Sequence, residues 1–384
     1  MSMAEQPPAD RPSPLILVVE PEGAPPGDPS YAALAARGQA LLAAELANRF
    51  AATGALVERL PARAESPRFH WGDWFTSAAR TARREARTAG KPGEAIGYAG
   101  AGALALLDDS GLAALAGARP GEVVANNRFS ADAFVLAGDV DGALSALADC
   151  ATDNAAARCL EAAGFVARDL ATVRWSRFDV DTPLDLALLR QATRLPGTRV
   201  LAGVVTAFLE NAALPGGGAL EVPHLERIAG VMRDRDAELV VAGRVPSSAW
   251  AYLEAESACR VRCFIEERGM RSARDHTPRS LLASWVDRLG TADLVAQLAT
   301  LGDAVILDSR VLMATLAQSS HAIAWPPEEE RFASDFGEAD GIRTAWLAEL
   351  TSAAAEASVP FLLGGHALVS DGLHILVDSA WLGR

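Results

Sequence analysis

The chain has 384 residues, half of them hydrophobic, and a formal net charge of −14. This length exceeds one ordinary core and predicts two domains, while the hydrophobic fraction excludes a chain that is disordered throughout. The negative charge argues against nucleic acid and anionic membranes as partners, because their phosphates would be repelled. The apolar runs, such as Val200 to Leu209, are too short to cross a bilayer.

The first residues, 1–13, are polar and rich in proline, and they predict a flexible tail rather than a signal peptide. The four cysteines show no metal-binding spacing. Cys259 and Cys263 fall in a predicted strand, where buried free thiols are expected. These features together predict a cytoplasmic protein with reduced thiols, and they leave its oligomeric state open.

Strands and helices alternate along the chain, which is typical of an α/β protein. In the first half, strands are predicted near 15–20, 56–60, 95–99, 121–126 and 133–137, with helices near 141–150 and 154–164. A further strand is predicted from residue 172 onward, ending in Asp179-Val180-Asp181. The helix-breaking sequence Leu195-Pro196-Gly197-Thr198 then predicts a domain boundary, which gives domains of 14–196 and 197–384.

A dense polar cluster lies between two of the apolar strands. Its members are Asn126, Asn127, Arg128, Ser130 and Asp132. Donors and acceptors together suit the recognition of a nucleotide or a hydroxylated acceptor, so these residues are predicted to bind substrate. The alternative is a polar loop that satisfies its own backbone through its Asn and Ser side chains.

The segment Asp179-Val180-Asp181-Thr182-Pro183 places two carboxylates at the predicted junction of a strand and a helix. Alternate residues of a strand share a face, so the two acids would point the same way. Thr182 suits the N-cap and Pro183 the first helical position. Paired carboxylates at such a junction are suited to hold Mg²⁺, which in turn carries phosphates. The alternative is that both acids merely flank the start of a helix.

This segment resembles the closing motif of the MobA-like nucleotidyltransferases, which reads Asp-x-Asp-Thr-Pro-x-Asp-Leu, here residues 179–186. Upstream segments fall in the matching order: the strand 15–19, the helix 31–50, and the strand and helix within 95–115. The resemblance covers residues 14–195. It implies a nucleotide-diphospho-sugar-transferase-like domain, a Mg²⁺ cofactor held by Asp179 and Asp181, and transfer of a nucleotidyl group from an NTP to a small acceptor.

Two features depart from that family. Its first loop needs glycines and a basic residue to cradle the triphosphate, whereas residues 20–28 are acidic, rich in proline and lack Lys and Arg. Ala103 aligns with the central metal-binding Asp of the family, and Asp108 and Asp109 follow a few residues later. The sequence therefore predicts a nucleotidyltransferase-like enzyme, or alternatively a non-catalytic descendant that binds a ligand or serves assembly.

The second half resembles no known family. Short apolar strands near 238–244, 261–266, 304–308 and 360–366 are separated by helices and predict a second α/β domain with a parallel sheet. Arginine, glycine or histidine follows three of these strands, at the edge where such sheets bind ligands. The predicted anion site comprises Arg244, Asp308, Arg310, Gly364, Gly365 and His366. The alternatives are a structural Asp–Arg pair and an ordinary glycine turn.

Overall fold

The computed structural model describes residues 13–25, 27–62, 69–90, 94–267, 278–319 and 325–383. It divides into two compact units: a first unit of residues 1–22 and 43–177, and a second unit of residues 23–42 and 178–384. These limits differ from the predicted domains of 14–196 and 197–384. Apart from residue 13, the predicted tail lies outside the described residues.

The first unit is built on a six-stranded mixed sheet. Its strands are β1 (Leu15–Glu20), β2 (Leu56–Pro61), β3 (Ala95–Ala99), β4 (Glu122–Ala125), β5 (Ala133–Ala137) and β6 (Val166–Asp169). They lie in the order β2-β1-β3-β5-β4-β6. Strand β5 is antiparallel to both β3 and β4, and the other pairs are parallel. The central strands are buried, which explains why they appear in the sequence as continuous apolar runs.

Helices cover both faces of this sheet. They are α1 (Tyr31–Ala52), whose first part belongs to the second unit, α2 (Trp71–Thr88), α3 (Asp109–Ala116), α4 (Val140–Leu147) and α5 (Ala156–Ala162). One core forms under α2, α4 and α5, and another under α3 and the later part of α1. In the first core, Trp71 and Phe75 stack with their ring centroids 4.9 Å apart. The α/β class predicted for the first half is confirmed.

The strand predicted from residue 172 into the Asp-x-Asp motif is wrong. Residues 171–177 form turns, and residues 178–181 have no regular structure. The backbone folds back on itself here, because Val173 N donates to Leu170 O and Ser176 N donates to Val173 O. Trp175 adopts a left-handed conformation with φ of 67°. The place beside β4 is taken by β6, a strand that the sequence pattern did not predict.

Two of the four cysteines, Cys150 and Cys159, have their sulfur atoms next to each other. Reduced thiols remain the prediction for both. Cys259 and Cys263 are free thiols, and burial raises the pKa of each; for Cys263 it reaches about 12. The contact between Cys150 and Cys159 was not predicted, because nine residues separate the two positions along the chain, and that spacing alone predicts no contact.

The second unit contains a four-stranded sheet in which every pair is parallel, as predicted. Its strands are β7 (Glu238–Gly243), β8 (Arg260–Ile265), β9 (Ala304–Asp308) and β10 (Phe361–Gly364), in the order β10-β9-β7-β8. The carboxyl ends of β7, β9 and β10 therefore lie at one edge, where the predicted anion site was placed. Helices join the strands, since parallel neighbours need crossover connections.

The helices of the second unit surround this sheet. They are α6 (Pro183–Ala192), α7 (Gly203–Asn211), α8 (Leu225–Arg233), α9 (Ser247–Glu256), α10 (Leu281–Leu289), α11 (Thr291–Ala299), α12 (Arg310–Ser319), α13 (Glu328–Asp335), α14 (Ala345–Ala355) and α15 (Asp371–Trp381). Helix α15 packs against α6, α8 and α9, whereas α11 packs against α14. No helix in the described parts of the chain is long and apolar enough to cross a membrane.

Candidate functional site

The Asp-x-Asp-Thr-Pro motif forms the N-terminal cap of α6. Thr182 Oγ1 accepts a hydrogen bond from Asp185 N at 3.2 Å, and Asp185 Oδ2 accepts one from Thr182 N at 2.8 Å. These reciprocal bonds are a capping box, and Pro183 occupies the first turn, where its missing N–H costs nothing. The third acid of the motif, Asp185, therefore has a structural task that fixes the start of the helix.

The two acids proposed as metal ligands precede this cap. Asp181 is exposed and Asp179 is half-buried, while Val180 between them is buried. Gln39 Nε2 donates to Val180 O at 2.8 Å, which holds the segment against α1. The sequence analysis expected a strand to point Asp179 and Asp181 the same way, but these residues do not form a strand. Among the described residues, no group of three or more His, Cys, Asp or Glu side chains is placed to hold a metal ion.

Asp185 is the most perturbed carboxyl group near the motif. It is 2% exposed, and its Oδ2 also accepts from Asp181 N at 3.0 Å and from Thr182 Oγ1 at 2.9 Å. Burial, followed by the negative charge of Asp181, raises the pKa of Asp185 to about 7. Asp335 adds to that rise. Three acids therefore act on one another around the start of α6, and the charge of Arg310 also reaches Asp185.

The predicted anion site in the second unit contains an ion pair between β7 and β9. Arg244 Nε donates to Asp308 Oδ2 at 2.7 Å, and its second nitrogen donates to Asp308 Oδ1 at 3.0 Å. The Asp308 side chain is fully buried. Burial by itself would raise the pKa of Asp308, but the Arg244 charge outweighs it and holds this pKa below the usual value. Arg244 is thus engaged by a carboxylate inside the protein.

Arg310, at the start of α12, makes a second pair of this kind. Its guanidinium donates to both oxygens of Asp335, each at 2.6 Å, and to Ser309 Oγ at 3.0 Å. Ser309 N in turn donates to Gly364 O at 3.0 Å, which links the ends of β9 and β10. The structure therefore brings the three predicted strand ends together, with both arginines bound by aspartates of the protein.

Gly364, Gly365 and His366 lie at the same edge of the sheet. A Cβ on Gly364 would lie 2.6 Å from Leu368 Cδ2 and 2.9 Å from Leu184 Cδ2, so this position has no room for a side chain. A Cβ on Gly365 would make only ordinary contact with Arg310, at 3.8 Å, and His366 lies near enough for its charge to lower the pKa of Asp308. Close packing therefore accounts for Gly364 alone of the two glycines; anion binding at these residues remains a prediction.

In the first unit, the polar cluster 126–132 is bonded mostly to itself and its surroundings. Asn126 is buried; its Nδ2 donates to Asp132 Oδ2 and Ser176 O, and its Oδ1 accepts from Asp132 N and Ala133 N. Asn127 Oδ1 accepts from Phe129 N. Arg128 pairs with Glu161, and Ser130 Oγ contacts Asn154 Oδ1. These bonds fit the alternative of a self-satisfied loop, and substrate binding here is still untested.

The residues at which the chain departs from the family motif have structural roles in the first unit and at the start of α1. Ala103 is 2% exposed, in the turn that follows β3. Asp108 caps α3 by accepting from Gly111 N at 2.7 Å, and that hydrogen bond lowers the pKa of Asp108. Asp109 pairs with Arg49 and is itself 91% exposed. In the acidic loop, Asp28 accepts from Ser30 N, next to the start of α1; Pro26 of that loop lies outside the described residues.

Asp335, the ion-pair partner of Arg310, was not predicted by the sequence analysis. It lies at the end of α13 and is 1% exposed. Burial raises the pKa of Asp335, and the adjacent Arg310 charge opposes that rise. The only available signal was an acid within the apolar sequence Phe332-Ala333-Ser334-Asp335-Phe336. Comparison with known proteins adds no further guide, because no family model, curated protein or solved structure matches the chain.

Proposed function

We propose that the chain is a nucleotidyltransferase-like protein that binds an NTP together with Mg²⁺ and transfers its nucleotidyl group to a small phosphorylated or hydroxylated acceptor. The observation that carries this proposal is the cap of α6. Asp181 is exposed directly before a helix start that Thr182 and Asp185 fix by reciprocal hydrogen bonds. The backbone that carries Asp181 is therefore fixed by hydrogen bonds to Asp185.

The donor set fits Mg²⁺, since carboxylate oxygens are its preferred protein ligands. Asp179 and Asp181 would hold the ion, and bound Mg²⁺ would neutralise charge on the phosphates. Both acids lie on the segment that leads into the capped start of α6, Asp181 at an exposed position and Asp179 at a half-buried one. Thr182 and Asp185 serve as positioning residues that keep the backbone of residues 181 and 182 in place.

The proposal includes a nucleotide-diphospho-sugar-transferase-like fold for the first unit. Support comes from its six-stranded sheet with helices on both faces, in which parallel strands surround the single reversed strand β5. Sheets of this construction present the carboxyl ends of their parallel strands to ligands. The first strand and the central strand of the resemblance correspond to β1 and β3 of this unit, whereas the closing motif, residues 179–186, falls in the second unit.

A second function is favoured by a different observation: the loop 20–28, at the place of the family's phosphate loop, contains no Lys or Arg of its own. In the loop 20–28, Asp28 accepts a hydrogen bond from Ser30 N and so serves a turn. Ala103 is buried at the position where the family has a metal-binding acid. Phosphate binding normally needs amide donors or cations. On this alternative, the chain is a non-catalytic descendant of the fold that binds a ligand or serves assembly.

Isothermal titration with each common NTP, with and without millimolar Mg²⁺, tests the two functions. The first predicts Mg²⁺-dependent binding that Asp181→Asn abolishes while the circular dichroism spectrum is unchanged. Asp287→Asn is the matched control, because Asp287 is an exposed acid of the second unit away from the motif. Nucleotide binding that is unchanged by Mg²⁺ and by Asp181→Asn would support the non-catalytic alternative. If the wild type binds no NTP, the nucleotidyltransferase proposal is wrong, and a nucleotide is also excluded as the ligand of the non-catalytic alternative.

A further inference from the structure

Two adjoining cavities of the second unit lie at the C-terminal end of α6. Their volumes are about 290 Å³ and about 440 Å³, and they share Arg190 and Arg194. Arg199 completes the basic lining of the first cavity, and Arg227 that of the second. Asp185 and Arg194 are nine residues apart, so the cavities lie about 13 Å along the helix from the capping box.

The arginines of these cavities differ from those at the strand edge in their bonding. Arg190 is paired with Glu221 at 3.1 Å. Among the residues that the structure describes, the Arg194 side chain donates to one acceptor, the neutral amide oxygen of Gln191, at 3.1 Å. Arg227 forms no hydrogen bond or ion pair with any residue in the described ranges. Arg194 and Arg227 therefore retain unused guanidinium donors, unlike Arg244 and Arg310.

A hydroxyl group adds a second, independent indication of a ligand. Thr198 Oγ1 is buried and has no hydrogen-bond partner among the described residues, and Thr198 lines the first cavity. A buried polar atom without a partner carries an energetic cost, because it has lost its hydrogen bonds to water. Thr193 and Thr206 line the same cavity with further hydroxyls. A ligand with acceptor oxygens in this cavity would recover that cost.

The helix dipole explains only part of this arrangement. Cations near the C-terminus of α6 interact favourably with its dipole, which accounts for Arg190 and Arg194 singly. However, the two lie four residues apart, where like charges repel. Arg199 lies in the following loop and Arg227 in α8, so the dipole of α6 does not explain their positions. Four arginines from three segments thus converge in a chain whose net charge is −14.

We propose that these cavities form a binding site for a small molecule bearing a phosphate group, separate from the Asp-x-Asp motif. Guanidinium groups bind phosphate with paired, charge-assisted hydrogen bonds, and threonine hydroxyls complete such sites. Arginines outnumber carboxylates by three to one in the first cavity and by three to two in the second. The carboxylates are Glu210, Glu221 and Glu226, of which Glu221 is the partner of Arg190.

Binding of inorganic phosphate, followed by ³¹P NMR and isothermal titration in EDTA, tests the site on the full chain. We expect millimolar binding to the wild type and to Asp181→Asn, because the site needs neither Mg²⁺ nor the motif. Arg194→Gln and Thr198→Val should each weaken the affinity for phosphate about tenfold, which corresponds to the loss of one charge-assisted hydrogen bond. Arg235→Gln is the matched control, since Arg235 is exposed and lines neither cavity.

Three results would overturn the site: no phosphate binding by the wild type, wild-type affinity in the double variant Arg194→Gln/Arg227→Gln, or loss of binding in Asp181→Asn. Both arginines are exposed, so this double variant should fold normally. A thermal unfolding curve of each variant without phosphate separates lost binding from lost structure.

Discussion

Arg310 and Asp335 form a bidentate ion pair in which the aspartate side chain is fully buried and the arginine side chain is 8% exposed. The pair joins the start of α12 to the end of α13. Because Arg310 also donates to Ser309, and Ser309 to Gly364, the pair ties both helices to the edge of the parallel sheet. This relationship explains Arg310 without any ligand.

Asp335→Ala should therefore be strongly destabilising. The substitution leaves the buried guanidinium of Arg310 without its carboxylate, and breaking a buried pair in this way costs about 3–5 kcal/mol. Urea unfolding followed by circular dichroism measures the change in the free energy of unfolding.

The exposed pair Arg49–Asp109 provides the control for that measurement. Asp109 is 91% exposed, so Asp109→Ala should cost at most about 1 kcal/mol. Equal effects of the two substitutions would mean that Arg310 is not held by Asp335 in solution. Arg310→Met in the Asp335→Ala background should recover part of the loss, because the remaining charge is removed.

The fold was largely predictable because its strands are continuous apolar runs bounded by glycine, proline and acids. Strands β1, β3, β7 and β9 were located within a residue or two from this pattern alone. The failure came at residues 172–181, where Trp175 and Phe178 appeared to continue a strand. Both side chains are buried by packing around turns instead, and apolar residues at alternate positions do not by themselves separate this case from a strand.

The candidate site was less predictable, since it depends on which charges meet. The sequence located Arg244, Asp308 and Arg310 at the strand ends, but it paired no arginine with its partner across the fold. Asp335 is 25 residues from Arg310, and the arginines of the cavities come from separate segments. Such pairs follow from strand order and helix packing, which no local pattern encodes.

Asn126→Ala should destabilise the first unit. The side chain of Asn126 makes four hydrogen bonds, to Asp132, Ala133 and Ser176, so its removal leaves buried backbone groups without partners. We expect a loss of about 2–3 kcal/mol in urea unfolding. Asn127→Ala, which removes the hydrogen bond that Asn127 Oδ1 accepts from Phe129 N, should cost less. A stable Asn126→Ala protein with impaired nucleotide binding would instead support direct substrate recognition.

Gly243→Ala should disrupt the edge of the parallel sheet. Gly243 has φ of 137°, and a Cβ there would lie 2.3 Å from the Cβ of Asp308. The new methyl group would push β7 away from the Arg244–Asp308 pair, with a cost on the order of 3 kcal/mol or failure to fold. Gly203→Ala is the control, because nothing lies within 4 Å of its Cβ position. A thermal shift measurement of both variants decides the matter.

The final prediction concerns the pH dependence of stability at Asp185. Its pKa is about 7 in the folded protein, against 3.8 for an unperturbed group. The folded state therefore holds this proton more tightly than the unfolded state, and stability falls as pH rises between these values. The contribution is fully present below about pH 4 and is lost by about pH 7, with a magnitude on the order of 4 kcal/mol.

Asp185→Asn isolates this contribution, because the amide cannot ionise while its oxygen can still accept the capping hydrogen bonds. Urea unfolding between pH 5 and pH 7.5, roughly the window in which an acid of raised pKa ionises, should show a smaller loss of stability in Asp185→Asn than in the wild type. Asp287→Asn, at an exposed position, should leave the wild-type slope unchanged. If wild type and Asp185→Asn have the same slope, Asp185 is ionised throughout, and the repulsion by Asp181 is already relieved.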